Sequence, residues 1–189
     1  MGNAATRREA ARVRHGLIRA KAAAGAAGAT AAPRFVADVM LGRLAKWLRI
    51  AGFDVLYSNR FSDDELVRIS RLQDRVLLSR DTRLLVRKEV KSFIFLESPD
   101  ALIQFRHVIE STGLPALPAP LTRCLSCNRV LVPTEREKVR DAVPPFVYST
   151  HTLYKSCPGC GKIFWAGTHR EAAVRTLREL LGGIADIPA

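Results

Sequence analysis

The chain has 189 residues, 48% of them hydrophobic and 25% charged, a composition that fits one or two globular domains and excludes a disordered or fibrous polypeptide. No window of about 18 consecutive apolar residues escapes interruption by Arg, Lys or Asp, so the sequence holds no candidate membrane-spanning helix. Thirty Lys and Arg stand against 18 Asp and Glu, and the resulting +12 points to a polyanionic partner, nucleic acid first and an anionic membrane surface second.

Residues 1–33 are rich in Ala, Gly and Arg. Residues 1–34 carry seven bases and one acid, half of the net excess. Arg7 to Lys21 could form a basic helix, but its apolar side chains are too small for a core-facing stripe. The expectation is a flexible basic extension that touches nucleic acid by charge alone. An Arg-rich, acid-poor leader also has the composition of an organelle transit peptide.

From Phe35 the pattern changes. Phe35-Val36-Ala37 reads as a buried strand ending at Asp38. Met40, Leu41, Leu44, Ala45, Leu48 and Ala51 then recur at helical spacing, with Gly52 as the stop. Phe53 to Tyr57 reads as a second strand. Ser62-Asp63-Asp64-Glu65 has the form of a capping box and opens a helix through Leu72. Val76 to Leu78 is a third strand, running into Ser79-Arg80-Asp81. A short helix around Leu84 to Lys88 leads to a fourth strand, Ser92 to Leu96. Ser98-Pro99 then predicts a helix to about Ser111, because Pro suits the first helical position. This alternation predicts an α/β domain over residues 34–115, a parallel sheet flanked by helices.

Acids collect where such a sheet binds ligands, at the carboxyl ends of its strands. Asp38 ends the first strand and Asp81 follows the third. Asp63 and Asp64 open the second helix, and Glu97 and Asp100 follow the fourth strand. Clustered carboxylates repel one another unless a cation sits among them, and Mg²⁺ or Mn²⁺ prefers oxygen ligands. Asp63, Asp64 and Asp100 could equally serve a helix N-terminus, and an Arg could satisfy Asp38 or Asp81. An acid ending a buried apolar strand is nonetheless a costly choice without a partner.

The four cysteines form two pairs, Cys124-x-x-Cys127 and Cys157-x-x-Cys160, separated by 29 residues. Two such pairs read as one tetrahedral Zn²⁺ site, and four thiolates leave no open position, so the zinc is expected to be structural. Two disulfides would need export, and no apolar signal core precedes the domain; the expected location is cytoplasmic. The domain boundaries read as a zinc ribbon over 116–175 and a tail or helix over 176–189.

Several of these segments resemble one known family. Phe35 to Asp38, Leu41 to Arg49 and Gly52-Phe53-Asp54 are similar to the opening of the Mut-seven C-terminal ribonuclease family, a PIN-like group. Ser79-Arg80-Asp81-Thr82-Arg83-Leu84 resembles its segment after the third strand, with Ser79 in place of the usual Thr. The cysteine pairs and Trp165-x-Gly167-x-His169 resemble its C-terminal zinc ribbon. The resemblance covers about residues 35–175. It implies a PIN-like α/β domain with an acidic Mg²⁺ or Mn²⁺ site that cuts RNA. Asp38, Asp63 and Asp81 match its acidic positions, and Asp64, Glu97 and Asp100 compete for a fourth.

The expected activity is therefore a divalent-metal-dependent endoribonuclease. Candidate RNA contacts are Arg43, Lys46 and Arg80 in the α/β domain and Arg123, Lys155, Lys162 and Trp165 in the ribbon, where basic groups meet phosphates and aromatic faces stack on bases. His169 is a further candidate, as general acid, phosphate contact or packed residue. The rival reading is an RNA-binding zinc-ribbon adaptor without catalysis. A phosphoacceptor domain of the receiver kind ranks lower, since Asp38 is followed by Val39 and Met40 rather than a second acid.

Overall fold

A computed structural model describes residues 32–113 and 117–182. The expected basic extension, apart from its last two residues, lies outside the described residues. The chain divides into two compact units, one of residues 1–48 and 53–115, the other of 49–52 and 116–189.

The first unit is built on four short parallel strands, β1 (Phe35–Ala37), β2 (Val55–Tyr57), β3 (Val76–Ser79) and β4 (Phe93–Phe95), in the order β2-β1-β3-β4. The register sets Ala37 opposite both Tyr57 and Leu78. Between these strands run α1 (Gly42–Ile50), α2 (Asp63–Leu72) and the single turn α3 (Thr82–Leu85), and α4 (Ala101–Thr112) follows β4. The expected α/β architecture is present.

Strand alternation sends Val36 and Leu77 to one face, where they are buried with Leu66 and Val67 of α2 and Leu84 and Leu85 of α3. Phe35, Ala37 and Leu78 point the other way and are equally buried. The Phe35 ring meets Phe53 edge-on with centroids 5.5 Å apart. Most strand residues are buried, which is why these segments read as continuous apolar runs rather than alternating ones.

Local chemistry sets the helix starts. The Ser62 hydroxyl accepts from the Glu65 N–H while the Glu65 carboxylate accepts from the Ser62 N–H at 2.9 Å, the reciprocal pair expected from the sequence. The last helix begins later than Ser98-Pro99 suggested. Asp100 is its cap: one carboxylate oxygen accepts from the N–H groups of Leu102 and Ile103 at 2.8 and 3.0 Å, so helical backbone starts at Ala101. A carboxylate that satisfies two orphan donors outweighs the φ preference of Pro99. Two further bounds shift: the short helix spans Thr82–Leu85 rather than Leu84–Lys88, because Asp81 caps it, and β2 begins at Val55 rather than Phe53.

The second unit holds a three-stranded antiparallel sheet, β5 (Val132–Thr134), β6 (Tyr154–Ser156) and β7 (Ile163–Trp165), in that order. A short helix α5 (Pro145–Thr150) and a longer one, α6 (Thr168–Leu181), complete it. Because α6 runs unbroken through residue 175, the border expected at 175/176 falls inside a helix. Two small apolar clusters are seen among its described residues. One joins Cys124, Leu131 and Cys157 with Phe164; the other joins Val139, Val143 and Tyr154 with Val147, Tyr148, Ile163 and Trp165. Gly52, at φ +96°, belongs to this unit; a Cβ there would lie 2.3 Å from the Ala119 carbonyl oxygen, so no larger residue fits the turn. No helix among the described residues is long and apolar enough to cross a membrane.

Candidate active site and metal centre

The strand order reverses direction between β1 and β3: the connection out of β1 moves to one side, and the one out of β2 returns past it. At such a reversal the loops diverge and leave a crevice at the carboxyl ends. Asp38 and Asp81 follow these two strands. Asp38 is 5% exposed, and its backbone N–H donates to the Leu78 carbonyl at 3.0 Å, continuing the β1–β3 ladder.

Ser79, fully buried at the end of β3, links the two acids. Its hydroxyl donates to Asp38 Oδ2 at 2.5 Å and accepts from the Asp81 N–H at 2.9 Å. Asp38 Oδ1 accepts from the Val39 N–H at 2.6 Å, and Asp81 Oδ1 from the Arg83 N–H at 2.8 Å. The partners of these carboxylates are backbone N–H groups and a hydroxyl. Among the described residues, neither forms an ion pair. The opposite, amino-terminal end of the strands behaves differently. Asp54, just before β2, pairs with the buried Arg75 at 2.7 Å, and the same guanidinium nitrogen donates to the Phe35 carbonyl at 3.1 Å.

The other acids divide. Asp63 opens α2 in an exposed position, and Asp64 beside it pairs with Arg87 at 2.6 Å while remaining largely in solvent. Asp64 and Asp63 both act on Arg87 and raise its pKa, the hydrogen bond that Arg87 donates to Asp64 being the largest influence. Glu97 is exposed beyond β4, and Asp100 is a helix cap. Among the described residues no three carboxylates approach closely enough to share one ion. The sheet brings together Asp38 and Asp81, and Asp63 does not join them in such a set.

The cysteines do form one. The four sulfurs all lie within 4.8 Å of one another, with Cys124–Cys160 at 3.6 Å and Cys127–Cys157 at 3.2 Å. A tetrahedral zinc with bonds of about 2.3 Å would hold its sulfurs about 3.8 Å apart, so this quartet could hold such an ion. The two pairs sit on matching turns. Asn128 N–H donates to the Cys124 carbonyl and Gly161 N–H to the Cys157 carbonyl, both at 2.9 Å. Asn128 and Gly161 take the same left-handed backbone, φ 70° and 71°. Burial opposes ionisation of Cys157, but hydrogen bonds from Cys127 and from the N–H groups of Gly159 and Cys160 bring its thiol down to about 6. Cys127 is favoured as thiolate by the Arg129 N–H, yet burial and its cysteine neighbours push it up to about 12. Without a cation, such a cluster ionises one thiol at the expense of the others.

Of the candidate RNA contacts, Arg43, Lys46 and Arg80 are exposed in the first unit, and Lys155 and Lys162 in the second. The Lys162 ammonium donates to Ser126 Oγ at 2.7 Å, joining the two turns. Arg123 is engaged within its own unit: Nε donates to the Gly52 carbonyl and Nη1 to the Asn128 carbonyl, both at 3.0 Å. Trp165 is half-buried against the Val139 cluster, and His169 is exposed in the first turn of α6. Sequence reasoning gave no role to Ser79 or Tyr57. A hydroxyl residue closing an apolar strand two positions before an acid was the available signal for Ser79. Tyr57 offered none, since its contact is with a carbonyl 18 residues away.

A PIN-like parallel sheet with two acids at its switch point, joined in one chain to a four-cysteine ribbon, is the class that fold and site define. The family model described as the Mut7-C RNAse domain matches residues 33–177, and the chain belongs to that family. No curated protein and no solved structure matches it.

Proposed function

We propose that the protein is a divalent-metal-dependent endoribonuclease whose cation is held by Asp38 and Asp81. The observation that supports this reading is the Ser79 bridge from the Asp38 carboxylate to the Asp81 backbone N–H, which ties together two acids, neither in an ion pair, at adjacent strand ends beside the reversal point. The donors are all oxygen, which suits Mg²⁺ or Mn²⁺ over a thiophilic ion. Mg²⁺ commonly keeps several waters and takes only one or two carboxylates beside a substrate phosphate, so a pair is sufficient. When bound, such an ion acidifies water and offsets the charge gathering on the phosphate.

The chain's own contribution is placement. The Ser79 hydroxyl donates its hydrogen bond to Asp38, which fixes the Asp38 carboxylate in direction. The Arg83 N–H does the same for Asp81. In the reaction, water gives up one proton to solvent as its oxygen joins phosphorus, the bond from phosphorus to the leaving ribose oxygen breaks, and that oxygen takes up a proton from solvent. Asp63, exposed at the start of α2, would act from outside this pair, on a second ion or a water. Arg43, Lys46 and Arg80 would hold the strand in the first unit, and Lys155 and Lys162 in the second, where zinc on the four cysteines would be structural.

Cleavage of an internally labelled single-stranded RNA with Mg²⁺ or Mn²⁺ tests the proposal. The Asp81→Asn variant should lose activity by on the order of 10²–10³-fold while keeping its circular dichroism spectrum. Equal cleavage by both would point to a contaminating nuclease. RNA binding with a steep salt dependence but no cleavage by the wild type would favour the adaptor.

A further inference from the structure

The turn that presents Asp38 is held from a neighbouring strand. Asp38 caps a single 3-10 turn, Val39–Leu41, in which the Leu41 N–H donates to the Asp38 carbonyl at 2.9 Å and the Val39 N–H to its carboxylate. The other side of Val39 is also committed: its carbonyl accepts from the Tyr57 hydroxyl at 2.9 Å. Tyr57 is the last residue of β2 and the register partner of Ala37, which immediately precedes Asp38. Strand pairing therefore fixes the backbone before Asp38, and the same tyrosine fixes the backbone after it.

This clamp needs space that only glycine leaves. At Gly42, the first residue of α1, an added Cβ would lie 2.6 Å from the Tyr57 hydroxyl oxygen and 2.9 Å from the ring carbon bearing it. The backbone of Gly42 is ordinary helix, with φ −61° and ψ −34°, so conformational freedom is not what glycine supplies here. The phenol occupies the place of its side chain.

We propose that Tyr57 is a positioning residue for Asp38, acting through the Val39 carbonyl, and that Gly42 is required because the phenol lies against it. The proposal rests on the reading of Asp38 and Asp81 as cation ligands. Tyr57 is half-buried, so water can replace its hydroxyl at little cost in stability. The direction of the Asp38 carboxylate has no such substitute.

The test is Mn²⁺ titration of the full chain with zinc in its ribbon, following free Mn²⁺ by electron paramagnetic resonance, beside a thermal melt. Tyr57→Phe and Gly42→Ala should each weaken Mn²⁺ binding about three- to tenfold, and Tyr57→Phe should melt within about 2 °C of the wild type. Tyr57→Phe binding Mn²⁺ like the wild type, with or without a lowered melting temperature, would overturn the assignment and leave the tyrosine a structural role. Asp81→Asn separates the two levels. If it abolishes binding while Tyr57→Phe does not weaken it, the tyrosine alone is wrong; if it binds like the wild type, the cation reading falls and this inference with it.

Discussion

The two units place ligating groups in opposite relations to their scaffolds. In the first, a sheet buried on both faces sets Asp38 and Asp81 side by side, and the fold exists whether or not an ion arrives. In the second, two of the four clustered cysteines are themselves core residues, packed with Leu131 and Phe164. On the proposed reading, removing an ion from the first would cost a site, and removing one from the second would cost the unit what organises it. The carboxylates sit on a structure, whereas two of the cysteines are part of theirs.

That contrast is broken most severely at the cysteines. Binding of a structural zinc contributes apparent free energies of about 10–16 kcal/mol to small zinc-dependent folds. Cys157→Ser, or a strong chelator at neutral pH, should therefore unfold the second unit while the first keeps its melt; hydrogen exchange resolved by segment would show protection lost from residues 117–182 and kept in β1 and β3. A uniform loss in both units would show that they fold as one. Next comes Leu77→Ala. Leu77 is fully buried between α2 and α3, and its truncation should cost about 2–5 kcal/mol in urea unfolding of the first unit. Asp38→Asn makes the converse point: activity should collapse, while stability holds or rises, because a buried unpaired carboxylate is replaced by a neutral amide that keeps most of its hydrogen bonds.

The smallest expected effect lies in the capping box. Ser62→Ala should cost about 1 kcal/mol. The Glu65 carboxyl is held below its ordinary 4.5, chiefly by the hydrogen bonds from the Ser62 N–H and hydroxyl, with help from Arg68. A lowered folded-state value means its contribution is present above the unfolded pKa and fades as pH falls through the folded one. The stability difference between wild type and Glu65→Gln should thus be visible at pH 6 and vanish in the more acidic range; a difference that grows on acidification would contradict the assignment.

The sheet was legible in the sequence because its strands are nearly all buried and its helices carry strong start and stop signals, the capping box at Ser62 and Gly52 among them. The cysteine pairs were legible because knuckle ligands are local in sequence. Element bounds at Asp81 and Asp100 were not, since each depends on a side chain capping the helix N–H groups that follow it. The pattern of acids did not say which of them meet. Six carboxylates follow strand ends or begin helices, but only strand pairing decides which of them meet, and pairing is not written in any one segment. For the same reason Ser79 and Tyr57 passed unnoticed: each matters through a partner across the sheet.

The most direct measurement of the central claim is anomalous diffraction from a crystal of the full chain soaked in Mn²⁺. A manganese peak within about 2.5 Å of carboxylate oxygens from both Asp38 and Asp81 is the predicted result. Manganese bound elsewhere on the chain, with Asp38 and Asp81 unliganded at saturating concentration, would contradict it.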